Sequence, residues 1–377
     1  MQNNETSSPR LYWDVGTAYD LFASLEVLHE PAKYGLRGAW AAGVRSRLSS
    51  DDRQFLEDVI AVLPVPLRWV YELPEPKDAS TALYILKQIP AEKRLSTLVD
   101  YFGGDQPYVE RLRQITEKGR WEDDDMEFID GEMNEMYKMI GLRKVNRKQM
   151  GTWLDFHADP KSFGDRYLNV LQNYFDVFFA EEEKRIADKV RAAYLKGQEL
   201  SDTLPLVELL EELSRGLRYD SLPKIGELVL VPSYWFSPMV LGADINSNRK
   251  MMLFGARPLG ESLVPGEIVP DDILKALKAM ADPTRLRILR YLMQEQLTQA
   301  EIARRLRLRA PTVTHHLHAL RLAGLVHYVV RDKYDNKSYF AKMDSVNSYL
   351  ALLKNFLQEG EAQDVESEDA VETSQVY

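Results

Sequence analysis

The residues best suited to recognising another molecule lie in one short stretch near the C-terminus. Residues 297–326 read LTQAEIARRLRLRAPTVTHHLHALRLAGLV. Between Ala310 and Ala319 this stretch contains threonines and histidines but no Asp, Glu or Lys, although a solvent-facing helix usually carries such charges. Short hydroxyls and imidazoles can approach a base edge in the major groove of DNA, and arginines suit phosphate groups. The chemistry indicated here is hydrogen bonding to nucleic acid.

Two short helices joined by a tight turn must position these side chains. Thr298, followed three residues later by Glu301, makes a capping box that predicts the start of the first helix. Residues 307–309 form the turn, and Pro311 fits the first turn of the second helix, where no backbone hydrogen bond is lost. The apolar positions of the second helix recur at helical spacing and must face a core. They are Val313, Leu317 and Leu320.

The opposite face of the second helix carries the candidate contacts. At about 100° per residue it presents Thr312, His315 and His318, with Thr314 and His316 on its flanks. His315 lies at its centre and is the favoured contact among the histidines. His316 also fits a capping or packing role, and His318 also fits a solvated flank. The candidate DNA-binding residues of this segment are Arg309, Thr312, Thr314, His315, His316 and His318.

A predicted hairpin follows the second helix directly. Residues 327–340 contain two β-like runs around a polar turn, and basic residues crowd the tip. A basic hairpin placed directly after a recognition helix is a wing, able to lie along the phosphate backbone. The candidate contacts in it are Arg331, Lys333 and Lys337.

The charge distribution supports a nucleic-acid interpretation of this region. The whole chain has a net charge of −10, which is unusual for a DNA-binding protein. Residues 271–343, however, carry a net charge of +7, so the remainder carries −17. Only the surface that contacts DNA needs to be positive. The basic part coincides with the predicted helix and wing.

Several segments resemble the winged helix-turn-helix of ArsR-type (arsenical-repressor-like) bacterial transcriptional regulators. They are ALKAMADPTRLRILRYLM, LTQAEIARRL, PTVTHHLHALRLAGLV and VVRDKYDNKSYF, and the resemblance extends over residues 271–357. The resemblance implies a dimeric repressor or activator that reads a short inverted repeat. It also implies that Thr312, Thr314, His315 and His316 face the groove, while the wing residues contact the backbone.

The chain departs from the ArsR pattern at three groups of positions. Many members of the family carry a cysteine pair where this chain has residues 297–300, and the helix after the wing lacks the histidines of the family's zinc sites. Because the chain contains no cysteine, thiolate metal sensing is excluded, and we expect no metal or other cofactor. Arg309 and Ala310 also occupy the corner where the family usually has a capping serine, which predicts a different operator preference.

The predicted fold class is mainly α, with a large helical N-terminal domain, a small antiparallel β segment and a C-terminal winged helix-turn-helix. The expected domains are a disordered lead (1–10), a helical domain for dimerisation or sensing (11–220), the β segment (223–258), the DNA-binding domain (271–357) and an acidic disordered tail (359–377). Residues 256–266, rich in Pro and Gly, are expected to form a linker.

Three features have two interpretations each. The aromatic residues 234–236 fit either a core or a ligand or partner surface. Residues 123–125 suit a helix start by dipole complementarity, and a calcium loop is disfavoured because Phe128 occupies the position that requires glycine. An apolar stripe after the wing fits either a second copy of the chain or the N-terminal domain. Its members are Val346, Tyr349, Leu350, Leu353, Phe356 and Leu357.

The sequence favours a sequence-specific DNA-binding regulator over an enzyme. No Gly-rich nucleotide loop, Gly-x-Ser-x-Gly elbow or His-Glu-x-x-His motif occurs, so we expect no catalytic activity. The alternative is an enzyme or ligand-binding helical domain with an appended DNA-targeting module. The expected partners are double-stranded DNA, a second copy of the chain and an unidentified small-molecule effector. Without a long apolar run or a signal pattern, and without cysteine, we expect a cytoplasmic protein that does not bind membranes.

Overall fold

The computed structural model describes residues 8–99, 107–140, 146–219, 225–266, 269–330 and 338–372. In chain order the helices and strands are β1 (Arg10–Trp13), α1 (Ala18–His29), α2 (Gly38–Arg45), α3 (Ser50–Val62), α4 (Leu67–Tyr71), α5 (Ala79–Gln88), α6 (Ala91–Leu98), α7 (Pro107–Lys118), α8 (Asp123–Ile140), α9 (Arg147–Ala158), α10 (Pro160–Tyr174), α11 (Ala180–Ser201), α12 (Leu206–Leu213), β2 (Leu217–Tyr219), β3 (Glu227–Ser233), β4 (Leu241–Asp244), β5 (Arg249–Gly255), α13 (Asp271–Met280), α14 (Pro283–Leu292), β6 (Leu297–Thr298), α15 (Gln299–Leu306), α16 (Ala310–Leu322), β7 (His327–Val330), β8 (Ser338–Phe340) and α17 (Met343–Glu372). One π-helical turn, Phe175–Phe179, joins α10 to α11.

Two compact units divide the chain. The N-terminal unit comprises Met1–Leu204 and Leu222–Arg257, and the C-terminal unit comprises Pro205–Ser221 and Pro258–Tyr377. The chain therefore passes between the units three times. This division differs from the expected domains, because α12 and β2 belong with the C-terminal unit and β3 to β5 belong with the N-terminal unit. Sequence patterns give the type of each element but carry little information on such long-range grouping.

The sheet of the N-terminal unit is mixed, so the prediction of an antiparallel segment is wrong. Its strand order is β1-β3-β5-β4, and only β4 and β5 run antiparallel. Strand β1 pairs in parallel with β3, with Leu11 opposite Leu228, and β3 pairs in parallel with β5, with Val231 opposite Leu253. The expectation that the helical region begins at Leu11 is therefore wrong for residues 11–13, which belong to β1. Strand β1 pairs with a strand that lies more than 200 residues later in the chain, and no local sequence pattern reveals this pairing.

The central strands β3 and β5 have the composition of buried parallel strands. Val229, Leu230, Val231 and Leu253 are completely buried. Parallel strands covered on both faces read as continuous apolar runs, whereas a half-exposed antiparallel strand alternates apolar and polar residues. The runs in β3 and β5 are of the first kind.

The aromatic residues after β3 belong to the core, so their interpretation as a ligand or partner surface is wrong. Tyr234, Trp235 and Phe236 are all at most 1% exposed. The buried carboxylate of Asp20 accepts hydrogen bonds from the Ser233 hydroxyl at 2.6 Å and from the backbone nitrogen of Trp235 at 2.9 Å. Burial raises the pKa of Asp20 to about 6 although these hydrogen bonds favour the ionised form. The polar contacts fix the bend that turns three aromatic rings inward.

The C-terminal unit has one apolar core and one small sheet. Buried side chains of α14, α15 and α16 meet in this core, including Ile288, Leu292, Ile302 and Leu317. The sheet order is β2-β7-β8-β6, with β2 parallel to β7 and the other pairs antiparallel. The segment predicted as a linker is partly packed in this unit, because Leu263 is completely buried.

Helix α17 ends the described chain. The structure gives residues 359–372 helical backbone, where the sequence predicts a disordered tail. This stretch contains five Glu and no proline, and Glu is a good helix former. Earlier in the helix, Val346 and Tyr349 pack against the core of the C-terminal unit, whereas Leu350 and Leu357 are exposed.

Candidate nucleic-acid interface

The helix-turn-helix begins with the predicted capping box at the start of α15. The Thr298 hydroxyl accepts from the backbone nitrogen of Glu301 at 3.3 Å, and the Glu301 carboxylate accepts from the backbone nitrogen of Thr298 at 2.7 Å. The hydrogen bonds that the carboxylate accepts from the backbone nitrogen and the hydroxyl of Thr298 hold the pKa of Glu301 below its usual value. The prediction is confirmed, and the reciprocal bonds fix where α15 starts.

The turn between α15 and α16 depends on one residue in a left-handed conformation. Arg307 has φ 55° and ψ 42°, an arrangement that glycine adopts more readily than arginine. The backbone nitrogen of Leu308 then bonds back to the carbonyl oxygen of Ala303 at 3.0 Å, closing the end of α15. Arg309 is extended and precedes α16, with Pro311 in the first turn as predicted. The reversal needs only three residues.

The inner side of α16 is apolar, as its periodicity predicts. Val313, Leu317 and Leu320 are buried in the core of the C-terminal unit. These three contacts fix the rotation of α16 about its own axis. They therefore determine which side chains point away from the core.

The outer side of α16 carries most of the predicted contacts. Arg309, Thr312, Thr314 and His315 are exposed, whereas His316 and His318 are half-buried. The rings of His315 and His316 lie 6.2 Å apart. The Nδ1 atom of His316 is buried and has no hydrogen-bond partner among the described residues. Thr312 and His315 are thus the exposed hydrogen-bonding side chains at the centre of this surface.

Thr314 has a structural role that sequence reasoning missed. The Gln299 amide nitrogen of α15 donates to the Thr314 hydroxyl at 2.5 Å and to the carbonyl oxygen of Ala310 at 2.9 Å. The Thr314 hydroxyl in turn donates to the same carbonyl oxygen at 3.0 Å. This three-way contact, here called the Gln299 clamp, links the first turn of α16 to the start of α15. Only the fold brings Gln299 and Thr314 together, since they lie on different helices.

The arginines around α16 are not equally available to a ligand. Arg305 forms a two-pronged ion pair with Glu295, with distances of 2.5 and 3.1 Å. The Arg321 guanidinium lies 4.3 Å from the ring centroid of Tyr328, in a cation–π contact. Arg304, Arg307 and Arg309 are exposed and form no ion pair with other described residues. These three flank the start of α16.

The strands of the predicted hairpin are β7 and β8, which pair antiparallel with His327 opposite Phe340. The predicted tip contacts Arg331, Lys333 and Lys337 lie outside the described residues. Strand β8 continues the sheet to β6, and β7 pairs on its other side with β2. The hairpin is thus paired on one side with β6, which precedes α15, and on the other side with β2, which lies much earlier in the chain.

The segment from α12 to β2, residues 206–219, is fastened to β7 through His327. The imidazole Nδ1 lies 3.1 Å from the carbonyl oxygen of Arg215, and Nε2 lies 3.0 Å from the Ser345 hydroxyl. Burial lowers the pKa of His327, which favours the neutral ring. Gly216 has φ 111°, and a Cβ atom there would lie 1.4 Å from Nδ1 of His327. His327 therefore joins α12–β2, the hairpin and α17 within one unit.

The described residues do not form a metal site. Within the described ranges, no group of three or more His, Asp or Glu residues is placed to hold an ion. Residues 123–125 start α8, as predicted, and Asp125 pairs with Arg111 at 2.8 Å. Among the described residues, no helix is long and apolar enough to cross a membrane.

The comparison with protein families supports the interpretation of this region. Residues 282–328 match the model of the family described as "Bacterial regulatory protein, arsR family". These residues form an ArsR-type helix-turn-helix domain. The comparison with curated proteins found no match.

The ArsR match runs from the residue that caps α14 to the second residue of β7. It associates this part of the chain with DNA binding and transcription regulation. Helix α13, strand β8, helix α17 and the α12–β2 segment lie outside the matched residues, although all belong to the C-terminal unit. The ArsR-type domain of this chain is therefore embedded in a larger folded unit.

Proposed function

We propose that this protein is a sequence-specific DNA-binding transcription regulator that inserts α16 into the major groove. The observation that carries the proposal is the outer side of α16, where Thr312 and His315 are exposed and no acidic residue occurs. A helix with one buried apolar side and an uncharged polar outer side fits recognition of base edges. The ArsR-type match covers the whole of this helix.

The proposal gives different roles to the predicted contacts. Thr312 and His315 read bases, while Arg309 contacts phosphate groups together with Arg304 and Arg307, because phosphate contacts position a protein and base contacts select sequence. Thr314 acts through the Gln299 clamp by holding the first turn of α16. His316 and His318 flank the contact surface.

The hairpin of β7 and β8 serves as the wing in this proposal. Its antiparallel strands follow α16 directly, and the sequence of its tip contains three basic residues. Arg331, Lys333 and Lys337 then contact the DNA backbone on either side of the groove. Each phosphate contact releases counterions, so the wing contributes affinity that does not depend on base sequence.

We propose a homodimer that uses an exposed stripe on α17. Met343, Leu350 and Leu357 recur at intervals of seven residues and are at least half exposed. Leu277 on α13, which contacts α17, is also exposed. A seven-residue apolar repeat is suited to helix–helix pairing, and a two-fold dimer reads an inverted repeat. We refer to Met343, Leu350 and Leu357 as the α17 stripe.

The N-terminal unit supplies effector binding in this proposal and has no catalytic role. Thiolate-based metal sensing has no ligand here because the chain lacks cysteine. A regulator of bacterial type works where the chromosome lies, so we propose a cytoplasmic location.

The salt dependence of DNA affinity tests the proposal. The logarithm of the affinity should fall linearly with the logarithm of salt concentration, with a slope of about −0.9 per phosphate contacted. Replacing Lys333 and Lys337 with alanine should weaken binding to all sequences and flatten this slope by about two. The matched control replaces Arg113 and Lys118 with alanine; both are exposed on α7 and should leave the slope unchanged. An affinity that does not respond to salt contradicts the proposal.

A further inference from the structure

The junction between the end of α16 and the hairpin carries an arginine whose charge is not neutralised. The Arg321 guanidinium lies 4.3 Å from the ring centroid of Tyr328, the second residue of β7. It forms no hydrogen bond or ion pair with another described residue. Residues 310–330 contain no Asp, Glu or Lys, and Arg321 is the only arginine among them. The junction is therefore a local centre of positive charge.

The contact with Tyr328 leaves the hydrogen-bond donors of Arg321 unused. An aromatic ring attracts a guanidinium through its π electrons and does not accept the N–H groups as a carboxylate does. Arg305, in contrast, donates to both carboxylate oxygens of Glu295. Arg321 is half-buried, but none of its nitrogen atoms is a buried atom without a partner, so they reach solvent. The guanidinium is thus held in place with its donors open to an anion.

The ring that holds Arg321 is itself fixed in the sheet. Tyr328 lies opposite Tyr339 in the β7–β8 pair, with 6.4 Å between the ring centroids. Tyr339 in turn packs against the core of the C-terminal unit. An arginine that already lies on a fixed ring loses little conformational entropy when it binds a ligand. The position of Arg321 relative to the hairpin is therefore set before any anion arrives.

Arg321 lies beside the proposed reading surface of α16. Thr314, His318 and Arg321 follow one another at i, i+4 and i+7, so they share one flank of the helix. The Gln299 clamp occupies this flank at the first turn of α16, and Tyr328 borders it at the last turn. With α16 in the major groove and the hairpin on the backbone, as proposed above, one DNA strand runs past this junction.

We infer that Arg321 binds a backbone phosphate group of DNA at the junction between α16 and the wing, and that Tyr328 is the positioning residue that holds it there. A guanidinium can donate two parallel N–H groups to two phosphate oxygens, a geometry that an ammonium group does not reproduce. The inference rests on the proposed function, because it requires α16 in the groove. The contact itself does not depend on base sequence.

The salt dependence of binding to random-sequence DNA duplexes tests the role of Arg321 in the full chain. Arg321→Gln should flatten the slope by about 0.9, the effect of one phosphate contact, and should lower the affinity about tenfold at near-physiological salt. Arg321→Lys keeps the charge and should keep the wild-type slope. The matched control Arg191→Gln changes an exposed arginine on α11 that also forms no ion pair with described residues, and it should alter neither quantity.

Two variants of Tyr328 test the positioning role. Tyr328→Leu removes the ring, so Arg321 must be ordered when DNA binds, and we expect about threefold weaker binding at an unchanged slope. Tyr328→Phe keeps the ring and should bind DNA as the wild-type chain does. A general loss of folding would instead weaken binding in both variants.

The outcomes separate this inference from the proposed function. If the wild-type chain binds DNA in a salt-dependent way, an unchanged slope in Arg321→Gln, or an equally flattened slope in Arg321→Lys, would overturn the phosphate contact. Wild-type affinity in Tyr328→Leu, or equal losses in Tyr328→Leu and Tyr328→Phe, would overturn the positioning role. A wild-type chain that binds no DNA would overturn the proposed function together with the inference.

Discussion

Replacing Gly216 with alanine should loosen the whole sheet that carries the wing. Gly216 has φ 111°, a conformation that alanine rarely adopts, and an alanine Cβ would lie 1.4 Å from Nδ1 of His327. The ring cannot simply turn away, because its nitrogens lie within hydrogen-bond distance of Arg215 and Ser345. The substitution therefore forces α12–β2 away from β7 or breaks both contacts of His327.

The expected magnitude follows from these two effects. Backbone strain at such a position costs about 1–3 kcal/mol. Loss of the two hydrogen bonds of His327 adds about 1 kcal/mol for each bond. We expect the free energy of opening this sheet to fall by about 4 kcal/mol, which corresponds to roughly a thousandfold lower protection.

Hydrogen exchange of peptides from β7 and β8 measures this change locally. Gly266→Ala is the matched control, since Gly266 also has a positive φ, 72°, but a Cβ atom there meets nothing within 4 Å. It should cost only about 1–2 kcal/mol, from the backbone conformation alone. Equal losses of protection in the two variants would refute the reasoning, because the contact with His327 would then contribute nothing.

Three further outcomes follow from the structure. Thr314→Val removes the hydroxyl of the Gln299 clamp, so we expect about 1 kcal/mol lower stability of the C-terminal unit in hydrogen exchange, and undiminished stability would contradict the clamp. Because burial lowers the pKa of His327, the stability that its neutral ring contributes is present above about pH 6.5 and is lost as the pH falls through the folded-state pKa. Exchange protection at β7 should therefore decline with acid less steeply in His327→Gln than in the wild-type chain. Replacing Leu350 and Leu357 with glutamate should yield a folded monomer in sedimentation, and a persistent dimer would place the interface elsewhere.

The helix-turn-helix was predictable because its signals are local. The Thr298–Glu301 capping box, Pro311 and the apolar spacing of α16 each depend on residues within one or two helical turns. Periodicity also predicted correctly that Thr312 and His315 are exposed. Neighbouring residues were sufficient to establish these features.

The features that the sequence did not reveal all depend on distant residues. Strand β1 pairs with β3 across more than 200 residues, and β2 pairs with β7 across more than 100. The resemblance to ArsR-type regulators implies that Thr314 faces the groove, and only the position of Gln299 on α15 reveals its part in the clamp. Helical periodicity specifies the face on which a residue lies but does not identify what it touches.

The central claim is that α16 reads a DNA sequence, and selection from random DNA tests it most directly. The full chain should be used at near-physiological salt, because α12 and β2 belong to the same unit as the helix-turn-helix. We expect an enriched inverted repeat with half-sites about one helical turn apart. The Thr312→Ala, His315→Ala double variant should lose this enrichment and keep salt-dependent binding to any sequence. Absence of enrichment with the wild-type chain, or the same enriched repeat with the double variant, would contradict the claim.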